Sequence, residues 1–76
     1  MEAQKKVANR LAEARENRGW KQIELSRRSG VSAACISRYE QAEQVQINIY
    51  NLLAIVDTLG VSLDWVFERS DDERVK

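Results

Sequence analysis

An all-α fold is the class this sequence predicts, and three features predict it. Leu, Ile, Val and Ala recur at helical spacings, Gly occupies only three positions, and Pro is absent from the 76 residues. That pattern suits packed helices and denies a many-turned β architecture its punctuation. The length fits one small domain, in which economical helix packing or self-association supplements a modest core.

The first helix is predicted from about Gln4 to Arg18. Val7, Leu11 and Ala14 fall on one face of it, and Gly19 stands where a left-handed C-terminal cap belongs. Trp20 then turns back into the core. A short second helix fits Gln22 to Ser29, with Ile23 and Leu25 as its large apolar residues, Ser26 as a small one and Gly30 as its stop. Ser32 is a good N-cap for a third helix, Ala33 to about Gln41, whose Ile36 and Tyr39 are three apart and share one buried side. A connector, Ala42 to Asn48, leads to a fourth helix over about Ile49 to Leu59, with Ile49, Leu52, Leu53, Val56 and Leu59 expected inward and Gly60 ending it. Ser62 caps a last short helix containing Leu63, Trp65, Val66 and Phe67. The domain is therefore expected over residues 1–69, with 70–76 a polar tail.

Composition narrows the chemistry. With no His and a single Cys, neither a metal site nor an intrachain disulfide is expected, and no cofactor. No apolar run reaches membrane-spanning length, and the first six residues lead into no apolar secretion segment, so the expected compartment is the cytoplasm. The chain lacks a nucleophile paired with a base and a phosphate-cradling glycine loop, so an enzyme is the least expected class. The formal charge of zero hides an asymmetry: residues 1–38 hold nine bases and four acids, a net +5, and residues 39–76 hold three bases and eight acids, a net −5. One face suits a polyanion and another repels it; two ordinary solvated surfaces are the plainer alternative.

Gln22 to Gln41 has the layout of a helix-turn-helix. Two short helices crossing over a tight turn need a small residue at their close approach, a residue tolerant of positive φ, and apolar positions locking the second helix to the first. Ser26, Gly30 and the set Leu25, Val31, Ile36 and Tyr39 supply these, although Ser29 takes a usual apolar place before the glycine.

With Arg10–Arg15, Arg18–Gln22, Gly30–Ser32, Ile36–Glu40 and Leu59–Trp65 all in register, the chain resembles the Cro and phage-repressor (XRE) family over nearly its whole length. The resemblance implies a compact five-helix, lambda-repressor-like fold and sequence-specific binding of duplex DNA, generally as a dimer, to regulate transcription. It implies that Gln22 bonds a phosphate and braces the reading helix, and that the third helix lies in the major groove. Base readers would then be Ala33, Ala34, Ser37 and Arg38, with Cys35 and Gln41 at the margin. Arg38 suits a bidentate contact to guanine O6 and N7, with a phosphate clamp as its alternative; the Ala methyls suit thymine methyls, or serve only as helix formers. Ser32 orients first-turn amides that can face phosphate. Cys35 reads as inert, a redox switch being the alternative. Arg15 and Glu40 are implied to form an internal ion pair.

The connector departs from the family. Where relatives often carry a glycine, basic residues and a proline, this chain reads Gln41-Ala42-Glu43-Gln44-Val45-Gln46-Ile47-Asn48, leaving Gln41, Asn48, Tyr50 and Asn51 as polar phosphate contacts. Val45, Ile47 and Ile49 alternate with polar residues. Ile49 is expected to tuck beneath the fourth helix; Val45 and Ile47 either tuck or meet a partner subunit, and Trp65 has the same two options. The expected partner is double-stranded DNA with a roughly palindromic operator, bound by a homodimeric repressor. Competing readings are an antitoxin or restriction-modification controller with a protein partner, and an interaction module that has lost DNA binding.

Overall fold

The computed structural model describes residues 2–41 and 47–67. Among them are five helices: α1 (Glu2–Asn17), α2 (Gln22–Ser29), α3 (Ala33–Glu40), α4 (Ile49–Leu59) and α5 (Leu63–Val66). α1 packs against α3, α4 and α5, while α2 packs against α3 and α4, in a body 27 × 26 × 21 Å. No helix among the described residues is long and apolar enough to cross a membrane.

α1 buries Val7, Ala8, Leu11 and Ala14, the expected face plus Ala8. It starts two residues earlier than expected and ends one earlier. Arg18 belongs to the turn: its N–H donates to Arg15 O at 3.1 Å, and the Gly19 N–H donates to Glu16 O at 2.9 Å. Gly19 has φ +71°, the left-handed conformation that costs a side-chain-bearing residue about 1–2 kcal/mol.

The turn between α2 and α3 shows why Ser29 is tolerated before Gly30. Its Oγ accepts the Val31 N–H at 3.1 Å, so a side chain satisfies an amide that the turn would leave open. Gly30 takes φ +81° and donates its N–H to Ser26 O. Leu25, Val31, Ile36 and Tyr39 are all buried, the set expected to lock the two helices; Ile23, by contrast, is 59% exposed.

α4 buries Leu52, Ile55, Val56 and Leu59, an i, i+3, i+4, i+7 stripe. Two expectations need correction. Ile49 is not tucked: it is half exposed on the first turn of α4, where the helix begins and Ile49 has no preceding turn to continue the stripe. Leu53 is only partly buried, and Ile55, which the sequence reading omitted, takes the inward place. Trp65, left between core and partner, is a core residue, 3% exposed, with the Arg10 guanidinium over its ring at 4.5 Å. It is withdrawn from any partner surface. Phe67 lies just beyond α5 as its C-cap and is exposed. Val45, the connector 42–46 and the tail 70–76 lie outside the described residues.

Candidate nucleic-acid interface

The third helix is held from behind. Arg15 on α1 donates through Nε to Glu40 Oε2 at 2.8 Å and through Nη2 to Glu40 Oε1 at 3.0 Å, a bidentate pair. Its remaining Nη1 donates to the Trp20 carbonyl at 2.7 Å. Gln22 Nε2 adds a third donor to the carboxylate, reaching Glu40 Oε1 at 3.0 Å. The two charged side chains are only 13% and 6% exposed, and the hydrogen bond to Glu40 raises the Arg15 pKa above its ordinary value. Three elements, α1, α2 and α3, therefore converge on one carboxylate. Gln22 thus links the start of α2 to the end of α3.

The front of α3 carries the residues expected to read bases. Ala34 and Arg38 are exposed, and Ala33 and Ser37 partly so, while Ile36 and Tyr39 point inward. Ser32 caps the helix by accepting the Cys35 N–H at 3.1 Å. At the other end Gln41 Nε2 donates to Ser37 Oγ at 3.0 Å, which holds both side chains along one edge. Arg38 is exposed and has no acidic partner among the described residues.

The start of α4 is fastened to this helix. The Tyr39 hydroxyl accepts the Asn48 N–H at 3.1 Å, and Asn51 Nδ2 donates to Cys35 Sγ at 3.8 Å. Asn48 Oδ1 is occupied as N-cap by the amides of Tyr50 and Asn51, so only its amide nitrogen remains for an outside contact. Burial pushes the Tyr39 phenol above its ordinary pKa of 10.0, reinforced by its hydrogen bond to Cys35. Tyr50 stands 78% exposed.

The structure also qualifies the charge asymmetry. Glu24 accepts from Arg28 Nε at 2.8 Å and lies 3.7 Å from Arg27, and the Arg28 guanidinium covers Trp20 at 4.6 Å. Part of the positive excess is thus engaged on α2. Lys21 is different: it is exposed, without an acidic partner among the described residues, and forms the N-cap of α2 with no side-chain cap bond. The N-caps of α3, α4 and α5 all use their side chains, Ser32, Asn48 and Ser62. An uncapped helix start beside an exposed cation favours an anion. Sequence reasoning passed over Lys21, although its place immediately before Gln22 was a usable signal.

A family model described as helix-turn-helix matches residues 11–66 of the chain. No curated protein and no solved structure matches it significantly.

Proposed function

The chain belongs to the helix-turn-helix family, of the Cro and phage-repressor type, and from that premise we propose that it is a repressor binding a roughly palindromic operator in duplex DNA as two copies. The observation that carries this reading is the presentation of α3: braced from behind by Arg15, Glu40 and Gln22, with Ala33, Ala34, Ser37 and Arg38 along its free side. A helix so held fits the major groove, and two-fold related copies would place half-sites about 34–36 Å apart.

Arg38 reads guanine O6 and N7, Ala33 and Ala34 meet thymine methyls, and Ser37 offers a hydroxyl to a base edge. Lys21, Gln22 and the open start of α2 seat one phosphate; Ser32, Gln41, Asn48, Tyr50 and Asn51 contact the backbone around it. Selection of bound duplexes from random DNA tests the reading. It predicts an inverted repeat whose half-site contains a guanine flanked by thymines, and Arg38→Ala relaxing that guanine. Recovery of no enriched sequence from a folded protein would overturn it in favour of an interaction module that does not bind DNA.

A further inference from the structure

We propose that Gln41 sets the hydrogen-bond polarity of Ser37, holding its hydroxyl as a donor and so excluding cytosine from the base that Ser37 meets. Gln41 is the C-cap of α3 and is bound twice to the residue one turn before it. Its backbone N–H donates to Ser37 O at 3.0 Å and its side-chain Nε2 to Ser37 Oγ at 3.0 Å. A hydroxyl inside a helix can turn onto the carbonyl one turn back, as Thr58 does in donating to Ala54 O at 2.8 Å. Ser37 makes no such bond among the described residues. Its oxygen is occupied as an acceptor instead, and its single hydroxyl hydrogen stays available on a partly exposed side of the helix.

Which end of the amide meets Ser37 decides the polarity. A carboxamide with its oxygen on Ser37 would accept the serine O–H and leave the serine an acceptor. The inference rests on the DNA-binding reading above, in which Gln41 contacts the DNA backbone. Phosphate oxygens only accept, so Nε2 spends one hydrogen on phosphate and the other on Ser37 Oγ, with Oε1 turned away from the polyanion. The line of donors then runs from amide to serine to base. In the major groove guanine offers N7 and O6, adenine N7 and thymine O4 as acceptors, whereas cytosine offers only its N4 donor. A hydroxyl held as a donor suits those acceptors and opposes donor to donor at cytosine. Serine alone carries no such selectivity, because a free hydroxyl rotates to donate or accept. Gln41 is thus a positioning residue that acts through Ser37.

Selection of bound duplexes from random DNA is run with the wild-type chain, Ser37→Ala, Gln41→Ala and Gln41→Glu. The position read is the one whose base preference Ser37→Ala flattens. There the wild type is expected to deplete cytosine by at least about fivefold, the cost of one mismatched contact. Gln41→Ala frees the hydroxyl to rotate, and the depletion should disappear. Gln41→Glu puts an acceptor-only carboxylate where the donor was, so Ser37 donates to it and turns a lone pair to the base. Enrichment at that position should then move to cytosine and adenine, whose amino groups donate. The carboxylate also repels phosphate, so the readout is the base ratio at one position rather than affinity; a merely structural Gln41 would move affinity or stability and leave that ratio alone. Cytosine accepted by the wild type, a ratio unchanged in Gln41→Glu, or a motif in which Ser37→Ala flattens no position overturns the proposal while leaving DNA binding intact. Failure to enrich any sequence is distinct, and overturns the DNA-binding reading together with this inference. In the free protein, Ser37→Ala should shift the NMR resonances of the Gln41 side-chain amide, and unmoved resonances overturn the pairing without reference to DNA.

Discussion

Replacing Glu40 by Ala removes the acceptor on which three elements converge. Arg15 loses both limbs of its bidentate pair, at 2.8 and 3.0 Å, and Gln22 loses its 3.0 Å contact. Arg15 keeps only the Trp20 carbonyl. Leaving one member of a buried pair behind costs about 3–5 kcal/mol. The Arg15 side chain is 13% exposed, enough for water to reach part of it, so the lower end, about 3 kcal/mol, is expected. For a domain of this size that lowers Tm by about 12–24 °C. It is also a large share of the roughly 4–11 kcal/mol of total stability expected for such a chain. Thermal melts by far-UV circular dichroism measure the shift, and a double-mutant cycle with Arg15→Ala assigns at least about 1 kcal/mol of it to the pair itself. DNA binding by Glu40→Ala should vanish near its Tm and return on cooling, because the reading face is untouched. A variant melting within about 2 °C of wild type would refute the assignment of this carboxylate to architecture.

Arg38→Ala should behave in the opposite way: Tm changes by no more than the equivalent of about 0.5 kcal/mol, as for an exposed side chain without an acidic partner among the described residues, while binding weakens at every temperature by about 5- to 150-fold per half-site, so by about 25- to 20,000-fold for two copies on the selected inverted repeat. The salt dependence of binding should be shallow, since three or four phosphates neutralised per copy give a log–log slope of about −5 to −7 for the pair, and a slope steeper than about −10 contradicts this. Gly30→Ala, at φ +81° but with no atom within 4 Å of the added Cβ, should cost about 1–2 kcal/mol from backbone strain alone in a urea titration. The raised Tyr39 pKa favours the neutral phenol in the folded state. Its contribution is therefore fully present below the unfolded value of about 10 and is lost as pH rises through the folded value, so Tm should fall above about pH 10 and do so less steeply in Tyr39→Phe.

Much of this was legible in the sequence because local signals and packing agree here. Gly19, Gly30 and Gly60 sit at positive φ just past helix ends, and Ser32 and Ser62 cap the helices they precede. Such features are set within a few residues of the chain. Ile49 failed for an instructive reason: it lies three residues before Leu52 and so continues the inward stripe by periodicity. Periodicity assigns a face to a residue but not the presence of a neighbour, and at the first turn of α4 no preceding turn extends the packed surface. Ser29 and Lys21 were missed in another way. The role of Ser29 depends on the path of the turn it caps, which is not a property of residue type at a spacing; Lys21 was signalled by its place before Gln22, but the open helix start beside it is visible only once the cap geometry is known.

The inventory of α3 bears on why one copy is insufficient on the proposed reading. Of its eight residues, Ile36 and Tyr39 are anchored in the core and Glu40 in the Arg15–Gln22 network. Cys35 accepts from Asn51 and Ser37 from Gln41. Arg38 is the one long polar side chain on the helix without a partner among the described residues. A bidentate guanine contact discriminates by about 1–3 kcal/mol, whereas specific DNA binding exceeds non-specific binding by about 4–10 kcal/mol. Even with thymine methyl contacts added, a single reader falls at or below the bottom of that range, and two rigidly oriented readers move into it. On the proposed reading, the spare chemistry of Ala33 and Ala34 suits an arrangement in which specificity comes from two modest contacts, one in each copy, rather than from many contacts made by one helix.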